Sequence, residues 1–144
     1  MAAVVDDAAL LAVLARRAPD DLRAAAADGE VFTTGSWYWR LSRALRDPTS
    51  SGALNRAFQE LNTAQQQRVL AALDELPTGI GLLSLRLLVP IMTSLDVGRP
   101  LNLLTTEAVA CALVLDAGIA VTTTSALMSH GCDRLGIDLR VLTI

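Results

Sequence analysis

A short apolar segment that runs directly into two carboxylates is the feature that most constrains the fold of this chain. Val4 and Val5 predict a buried strand, and a helical pattern begins at Asp7 and continues to about Arg17. In an α/β domain, an acid that follows a strand lies at the carboxyl edge of the sheet, where such folds bind their ligands. We therefore expect Asp6 or Asp7 to belong to a functional site.

Strand and helix patterns alternate along the rest of the chain. Further strands are predicted at 30–34, 80–83, 119–123 and 137–142. Helices are predicted at about 18–27, 37–46, 53–61, 63–76, 85–95, 106–116 and 125–135. Ser36 is a candidate N-cap, Thr63 and Gln66 match a capping box, and Gly136 ends a helix. This order predicts a three-layer α/β/α sandwich with a five-stranded, mainly parallel sheet, formed by residues 1–144 as one domain.

Composition limits the kinds of partner that the protein can bind. Hydrophobic residues make up 52% of the 144 residues, so a large core or a sizeable interface is expected. The formal net charge of −3 gives no long-range attraction to a phosphate backbone. All 12 basic residues are arginine, which removes every mechanism that needs a lysine.

Cysteine usage and the lack of a leader point to the cytoplasm. Cys111 and Cys132 are too few and too far apart for a metal-site pattern, and two reduced thiols are typical of a cytosolic protein. No basic and apolar leader opens the chain. The apolar stretches are shorter than the ~20 residues of a membrane span, so no membrane association is expected.

Several catalytic motifs are absent from the sequence. A phospho-receiver domain needs an aspartate after its third strand and a lysine after its fifth, and the chain has neither. Neither of the glycine-rich phosphate-binding motifs, GxxxxGK and GxGxxG, occurs in the sequence. His130 is the only histidine and has no nucleophile elbow near it, so we interpret it as a surface residue near a helix end.

The frame of motifs resembles that of PIN domains, the fold of the VapC-type toxin ribonucleases. The segment 4–6 is similar to the first strand with its metal-binding aspartate, and 107–112 is similar to the late acidic helix. The segment 118–125 matches the strand motif that follows, and 135–142 matches the closing helix and strand. The resemblance implies an α/β/α sandwich and a nuclease site that binds Mg²⁺ or Mn²⁺.

The acid set of that family is broken in this chain. Arg40 falls where the family has its second acid, Ser125 falls where the last aspartate belongs, and Glu107 stands in for an aspartate. The remnant acids are thus Asp6 and Glu107, with Asp7 as an alternative to Asp6. A family nuclease gathers several carboxylates around a divalent ion that activates water. We expect the Arg40 guanidinium to replace that ion as a counter-ion, within ion-pair distance of one of these acids.

Four of the five aromatic residues fall within eight positions of one another, which suggests a binding surface. Three consecutive helical residues span about 200°, so Trp37, Tyr38 and Trp39 cannot all be buried in one face. Trp and Tyr concentrate binding energy in protein interfaces, and they also stack on RNA bases or fill cores. Thr124 and Ser125 are a polar strand end and helix cap, or a phosphate or metal-water contact in a nuclease.

Two functions follow from these features. The first is a degenerate, non-catalytic PIN-like domain that needs no cofactor and binds a protein, either as a homodimer or with a small antitoxin-like partner. The second is a VapC-type endoribonuclease with an unusual acid set and Mg²⁺ or Mn²⁺ at Asp6 and Glu107, for which RNA is the substrate. The broken acid set and the acidic net charge favour the first.

Overall fold

The computed structural model describes all 144 residues and confirms the predicted fold class. It contains five strands and eight helices. The strands are β1 (Ala3–Val5), β2 (Val31–Thr33), β3 (Ile80–Leu82), β4 (Gly118–Val121) and β5 (Leu139–Val141). The helices are α1 (Asp7–Leu14), α2 (Asp20–Ala27), α3 (Gly35–Arg46), α4 (Ala53–Gln59), α5 (Thr63–Asp74), α6 (Leu85–Ser94), α7 (Leu103–Leu115) and α8 (Ala126–Leu135).

All five strands are parallel and lie in the order β3-β2-β1-β4-β5. The sheet is therefore entirely rather than mainly parallel. β1 is the central strand and pairs with β2 on one side and β4 on the other. Chain connections run outward from β1 in both directions, which is the doubly wound topology that creates a cleft at the carboxyl ends of the central strands.

Helices cover both faces of the sheet, as a parallel sheet requires. Alternate residues of the central strand point to opposite faces, so Val5 joins one apolar core and Val4 joins the other. The first core lies against α1, α2 and α5, and the second lies against α7 and α8. Both valines are fully buried, which explains why β1 is an uninterrupted apolar segment.

Helix starts differ from the sequence-based expectations at three places. Thr34, and not Ser36, caps α3 by accepting a hydrogen bond from the amide of Trp37. The capping box of α5 is formed by Asn62 and Gln65, one residue before the predicted pair. α7 begins at Leu103 because Asn102 caps it. The predicted termination of α8 at Gly136 is confirmed, and this glycine has a left-handed φ of 68°.

None of the eight helices combines the length and the apolar character that a membrane span requires.

Candidate functional site

A cleft of about 500 Å³ opens at the carboxyl edge of the sheet. Asp6 and Asp7 form one wall, directly after β1, and residues that follow β4 form another. The remaining walls come from α3, α4 and the start of α7. Its lining residues include Trp37, Arg40, Ser50, Asn55, Asn102, Thr105, Thr122, Thr123 and Ser125.

The carboxylate of Asp6 is fully engaged by hydrogen-bond donors. As the N-cap of α1, its Oδ1 accepts a hydrogen bond of 2.8 Å from the amide of Ala9. Its Oδ2 accepts two hydrogen bonds from Thr122, at 2.7 Å from the amide and 3.0 Å from the hydroxyl. Asp6 is 5% exposed, so these protein donors replace the water that the carboxylate would otherwise bind.

Asp7 has one carboxylate oxygen that lacks a hydrogen-bond partner. Its Oδ1 accepts a hydrogen bond of 2.8 Å from the amide of Ala8, whereas Oδ2 is buried and accepts none. The nearest cation is Arg40, whose Nε lies 3.5 Å from Oδ2. This distance makes an ion pair without a short hydrogen bond, and the Arg40 side chain remains 48% exposed.

Burial is the main influence on the acidity of Asp7. It raises the pKa of the Asp7 carboxyl above its usual value, and the neighbouring charge of Asp6 raises it further. The Arg40 guanidinium acts in the opposite direction and lowers this pKa. Arg40 therefore favours the ionised form of an acid whose burial favours the protonated form.

Glu107 lies outside the cleft, beneath the first turn of α3. It is 1% exposed, and its Oε1 accepts a hydrogen bond of 3.1 Å from the amide of Ser36. Its Oε2 has no hydrogen-bond partner and lies close to Gly35, 3.6 Å from where a Cβ of that residue would stand. A carboxylate at a helix N-terminus is favoured by the helix dipole, so Glu107 stabilises the start of α3.

The residues of the predicted aromatic surface have three different environments. Trp37 is 5% exposed and belongs to the second core. Tyr38 is half-buried, and its hydroxyl donates a hydrogen bond of 2.6 Å to the carbonyl of Leu73. Only Trp39 presents its ring to solvent, being 59% exposed, with the Arg43 guanidinium 5.2 Å from the ring centre. Of the three, Trp39 alone is available to a partner.

The two polar residues expected at the strand end also separate. Ser125 lines the cleft and caps α8, where its hydroxyl accepts a hydrogen bond from the amide of Met128. Thr124 is exposed, does not line the cleft, and forms a hydroxyl contact of 3.2 Å with Ser129. Sequence reasoning missed that Thr122 is the residue that binds Asp6. The sequence feature that could have indicated this contact is the position of Thr122 directly after β4, the strand that pairs with β1.

Sequence reasoning also missed a polar group on the opposite wall. Asn55 of α4 is buried and donates a hydrogen bond of 2.7 Å to the carbonyl of Ala44. The hydroxyl of Ser50 donates to the Asn55 side-chain oxygen at 2.7 Å. These bonds hold the loop between α3 and α4 against the cleft. The cleft therefore has one acidic wall and one neutral polar wall.

The residues present do not fit the Mg²⁺ or Mn²⁺ that the resemblance implies. Hydrogen-bond donors occupy both oxygens of Asp6, and a guanidinium faces the remaining oxygen of Asp7. Glu107 is turned toward the start of α3 and away from the cleft. No three acidic, histidine or cysteine side chains converge on a point where they could hold a metal ion.

No protein-family model and no curated protein sequence matches the chain.

Proposed function

We propose that the protein is a PIN-like domain that has lost metal-dependent catalysis and acts by binding another protein. The partner is a second copy of the chain or a small antitoxin-like protein. The proposal is carried by the pairing of Arg40 with Asp7, the acid that the resemblance offers as the alternative to Asp6 at the metal-binding position. The free thiols of Cys111 and Cys132 support a cytoplasmic location.

The chemistry of RNA hydrolysis explains why this pairing matters. A metal-dependent nuclease must hold a divalent ion that activates water and stabilises the charge that develops on the phosphate. A guanidinium neutralises one carboxylate, but it has no open coordination position and cannot lower the pKa of a bound water as a metal does. With Arg40 beside Asp7, one of the two carboxylates of the cleft has a counter-ion, and no nucleophile is generated.

The surface next to the cleft supports a role in protein binding. Trp39 and Arg43 lie one turn apart on α3, and Arg40 lies between them and the cleft. Trp and Arg are the residue types that most often dominate binding energy in protein interfaces. The stacked pair presents a large apolar ring together with a fixed positive charge, which suits a partner segment that carries both apolar and acidic side chains.

Two measurements on the wild-type protein test the loss of catalysis. Single-stranded RNA of mixed sequence is incubated with the protein and millimolar Mn²⁺ or Mg²⁺, and thermal unfolding is followed with and without each ion. We expect no cleavage and no rise in the melting temperature, because an ion that binds weakly stabilises the fold very little. Cleavage that disappears in the Asp6→Ala variant would overturn the proposal.

A binding experiment tests the proposal that the domain acts by binding another protein. The product of the gene immediately upstream is titrated against the wild-type chain and against the Trp39→Ala variant by calorimetry, and self-association is measured on the same two proteins. We expect one of these interactions to weaken at least tenfold in Trp39→Ala. Phe58→Ala is unsuitable as a control because Phe58 packs against the first core, whereas exposed Leu103→Ala is suitable.

One observation favours the alternative, a Mg²⁺- or Mn²⁺-dependent endoribonuclease. Asp7 Oδ2 and Glu107 Oε2 are buried carboxylate oxygens without hydrogen-bond partners, and such oxygens are unusual in folded proteins. For this alternative, Arg40 would have to leave Asp7 and α3 would have to release Glu107. The RNA cleavage assay above separates the two functions.

A further inference from the structure

A smaller pocket of about 270 Å³ adjoins the cleft. It is lined by α3, by α4 and by the loop between them, and we call it the α3 pocket. It shares Arg40, Ala44, Ser50 and Leu54 with the lining of the cleft. Its other lining residues are Trp39, Arg43 and Asp47. Arg40 therefore lies between the two cavities.

The two arginines of the α3 pocket have guanidinium groups without hydrogen-bond partners in the chain. The Nε of Arg40 lies 3.5 Å from Asp7, which is an ion pair without a short hydrogen bond. Arg43 is placed over the Trp39 ring, 5.2 Å from its centre. Arg46, one turn further along α3, differs because it donates a hydrogen bond to an acid of α5. The planar forks of Arg40 and Arg43 are thus available to bind a carboxylate.

The charged side chains of the α3 pocket favour a ligand with a single negative charge. Arg40 and Arg43 lie one turn apart on α3, where like charges repel each other. Asp47 forms an ion pair with neither arginine. Its Oδ1 instead accepts hydrogen bonds of 2.9 and 2.7 Å from the amide and hydroxyl of Thr49. One negative charge between the arginines relieves their repulsion, whereas Asp47 would repel a doubly charged group more strongly.

The apolar part of the lining indicates what the negative charge is attached to. Trp39 is 59% exposed, and Ala44 and Leu54 are half-buried at the pocket wall. Apolar walls with a few charged groups that fix orientation are the usual composition of a small-molecule site. Aromatic rings pack favourably against an indole ring. The lining is therefore complementary to an aromatic body that carries one carboxylate.

We propose that the α3 pocket binds a small aromatic carboxylate. The carboxylate lies between the guanidinium groups of Arg40 and Arg43, and the aromatic ring packs against Trp39 and Leu54. This goes beyond the proposed function, because the ligand is a small molecule and not a protein. Binding is measured on the chain alone, so its failure can be distinguished from a failure of partner binding or from RNA cleavage.

Titration of the full chain with phenylacetate, followed by NMR of the backbone amides, tests the proposal. We expect shifts at the amides of α3 and α4 and a dissociation constant in the millimolar range, as is usual for a ligand of about 10 atoms. Phenylacetamide has nearly the same shape without the charge, and acetate has the charge without the ring. Each should bind at least tenfold more weakly than phenylacetate.

Variants of Arg43 test the position of the carboxylate. Arg43→Gln should weaken phenylacetate binding at least fivefold. Arg86→Gln is the matched control, since Arg86 is an exposed arginine of α6 without an ion pair and lies outside the pocket, and it should bind as the wild type does. Arg43→Lys keeps the charge but loses the planar fork, so its affinity should be intermediate. This variant keeps the test valid if the loss of charge disturbs α3.

Several results would overturn the proposal. One is equal binding of phenylacetate and phenylacetamide, because the carboxylate would then contribute nothing. Equal binding of acetate would show a site for any anion, without a role for the aromatic ring. Wild-type affinity in both Arg43 variants, shifts confined to residues outside α3 and α4, or no shifts at tens of millimolar phenylacetate would also overturn it.

Discussion

Thr122 donates two hydrogen bonds to a single oxygen of Asp6, one from its amide and one from its hydroxyl. The two residues are 116 positions apart, and each directly follows a strand of the adjacent β1–β4 pair. With the amide of Ala9 on the other oxygen, the Asp6 carboxylate joins the start of α1 to the end of β4. Asp6, the acid that the resemblance implies as a metal ligand, thus has a structural role in holding α1 to the end of β4.

This role predicts a large loss of stability on removal of the carboxylate. Asp6→Ala removes the N-cap of α1, which contributes about 1 kcal/mol. It also leaves the Thr122 donors without a partner, at about 1–3 kcal/mol. We expect the free energy of unfolding in urea to fall by roughly 3 kcal/mol in total, and by about 1 kcal/mol in Thr122→Val. Thr123→Val is the control, since Thr123 also lines the cleft but does not bind Asp6. Equal losses in the two threonine variants would contradict the assignment.

The raised pKa of Asp7 should make the folded protein less stable as pH rises. Because burial raises its pKa in the fold, the folded protein holds the Asp7 proton more tightly than the unfolded chain does. The stabilisation from this proton is complete below the unfolded pKa of 3.8 and is lost as pH rises through the higher folded pKa. Asp7→Asn should therefore flatten the dependence of stability on pH in that window. Urea unfolding at a series of pH values measures it, and an unchanged slope would show that Asp7 does not cause it.

Replacement of Arg40 should change the pKa of Asp7 more than it changes the free energy of unfolding. Its side chain is half-exposed and its Nε lies 3.5 Å from Asp7, so removal should cost less than about 1 kcal/mol, as for other solvated pairs. The larger loss that accompanies breakage of a fully buried pair is not expected. Arg40→Gln should instead raise the pKa of Asp7 further, since the guanidinium lowers it. Carboxyl NMR titration measures this pKa, and a downward shift would contradict the pairing.

A charge reversal at the same position should create a response to metal. Arg40→Glu adds a carboxylate beside Asp7, and like charges ~4 Å apart repel by about 4 kcal/mol at an effective dielectric of 20. We expect this variant to melt below the wild type without metal and to recover by several degrees in millimolar Mn²⁺. Arg43→Glu, on the same helix but stacked on Trp39, should show no such recovery. A rise with Mn²⁺ in the wild type itself would favour the nuclease.

The two cysteines should be unreactive in the folded protein. Burial raises the pKa of the Cys111 thiol to about 12, with Glu107 adding to the effect, and that of the Cys132 thiol to about 11. Because only the thiolate attacks a disulfide reagent, native protein at neutral pH should react with such a reagent only as fast as it unfolds. The reaction is followed by absorbance, and the unfolded chain provides the control. Rapid labelling of the native protein would show that one thiol is accessible.

The sequence was sufficient to predict the fold class, because alternating strand and helix patterns leave few topologies for a parallel sheet. Helix starts were predicted less accurately. At Asn62-Thr63 and at Thr34-Gly35-Ser36, two neighbouring residues can each act as an N-cap, and tertiary contacts determine which one does. The pairing of Thr122 with Asp6 depends on the β1–β4 register, which local patterns do not encode.

In the candidate site, too, the sequence does not predict contacts between residues that are far apart in the chain. Arg40 was expected near an acid, and the structure has its guanidinium at ion-pair distance from Asp7. Its replacement of a metal remains a prediction. Glu107 was expected in the cleft, but α7 directs it to the amide of Ser36 in α3, which is 71 residues away in sequence. Spacing within one helix cannot indicate which distant helix end a side chain meets.

The central position of β1 has a consequence for synthesis of the chain. β1 is made before the other four strands, and its partner β4 follows more than a hundred residues later, as does Thr122. Contacts that close such long loops form slowly, and β1 must wait for them after it emerges from the ribosome. Throughout that interval Val4, Val5 and the two acids are without the strand that encloses them. A nascent chain arrested before Gly118 should therefore depend on chaperones in a way that the finished protein does not.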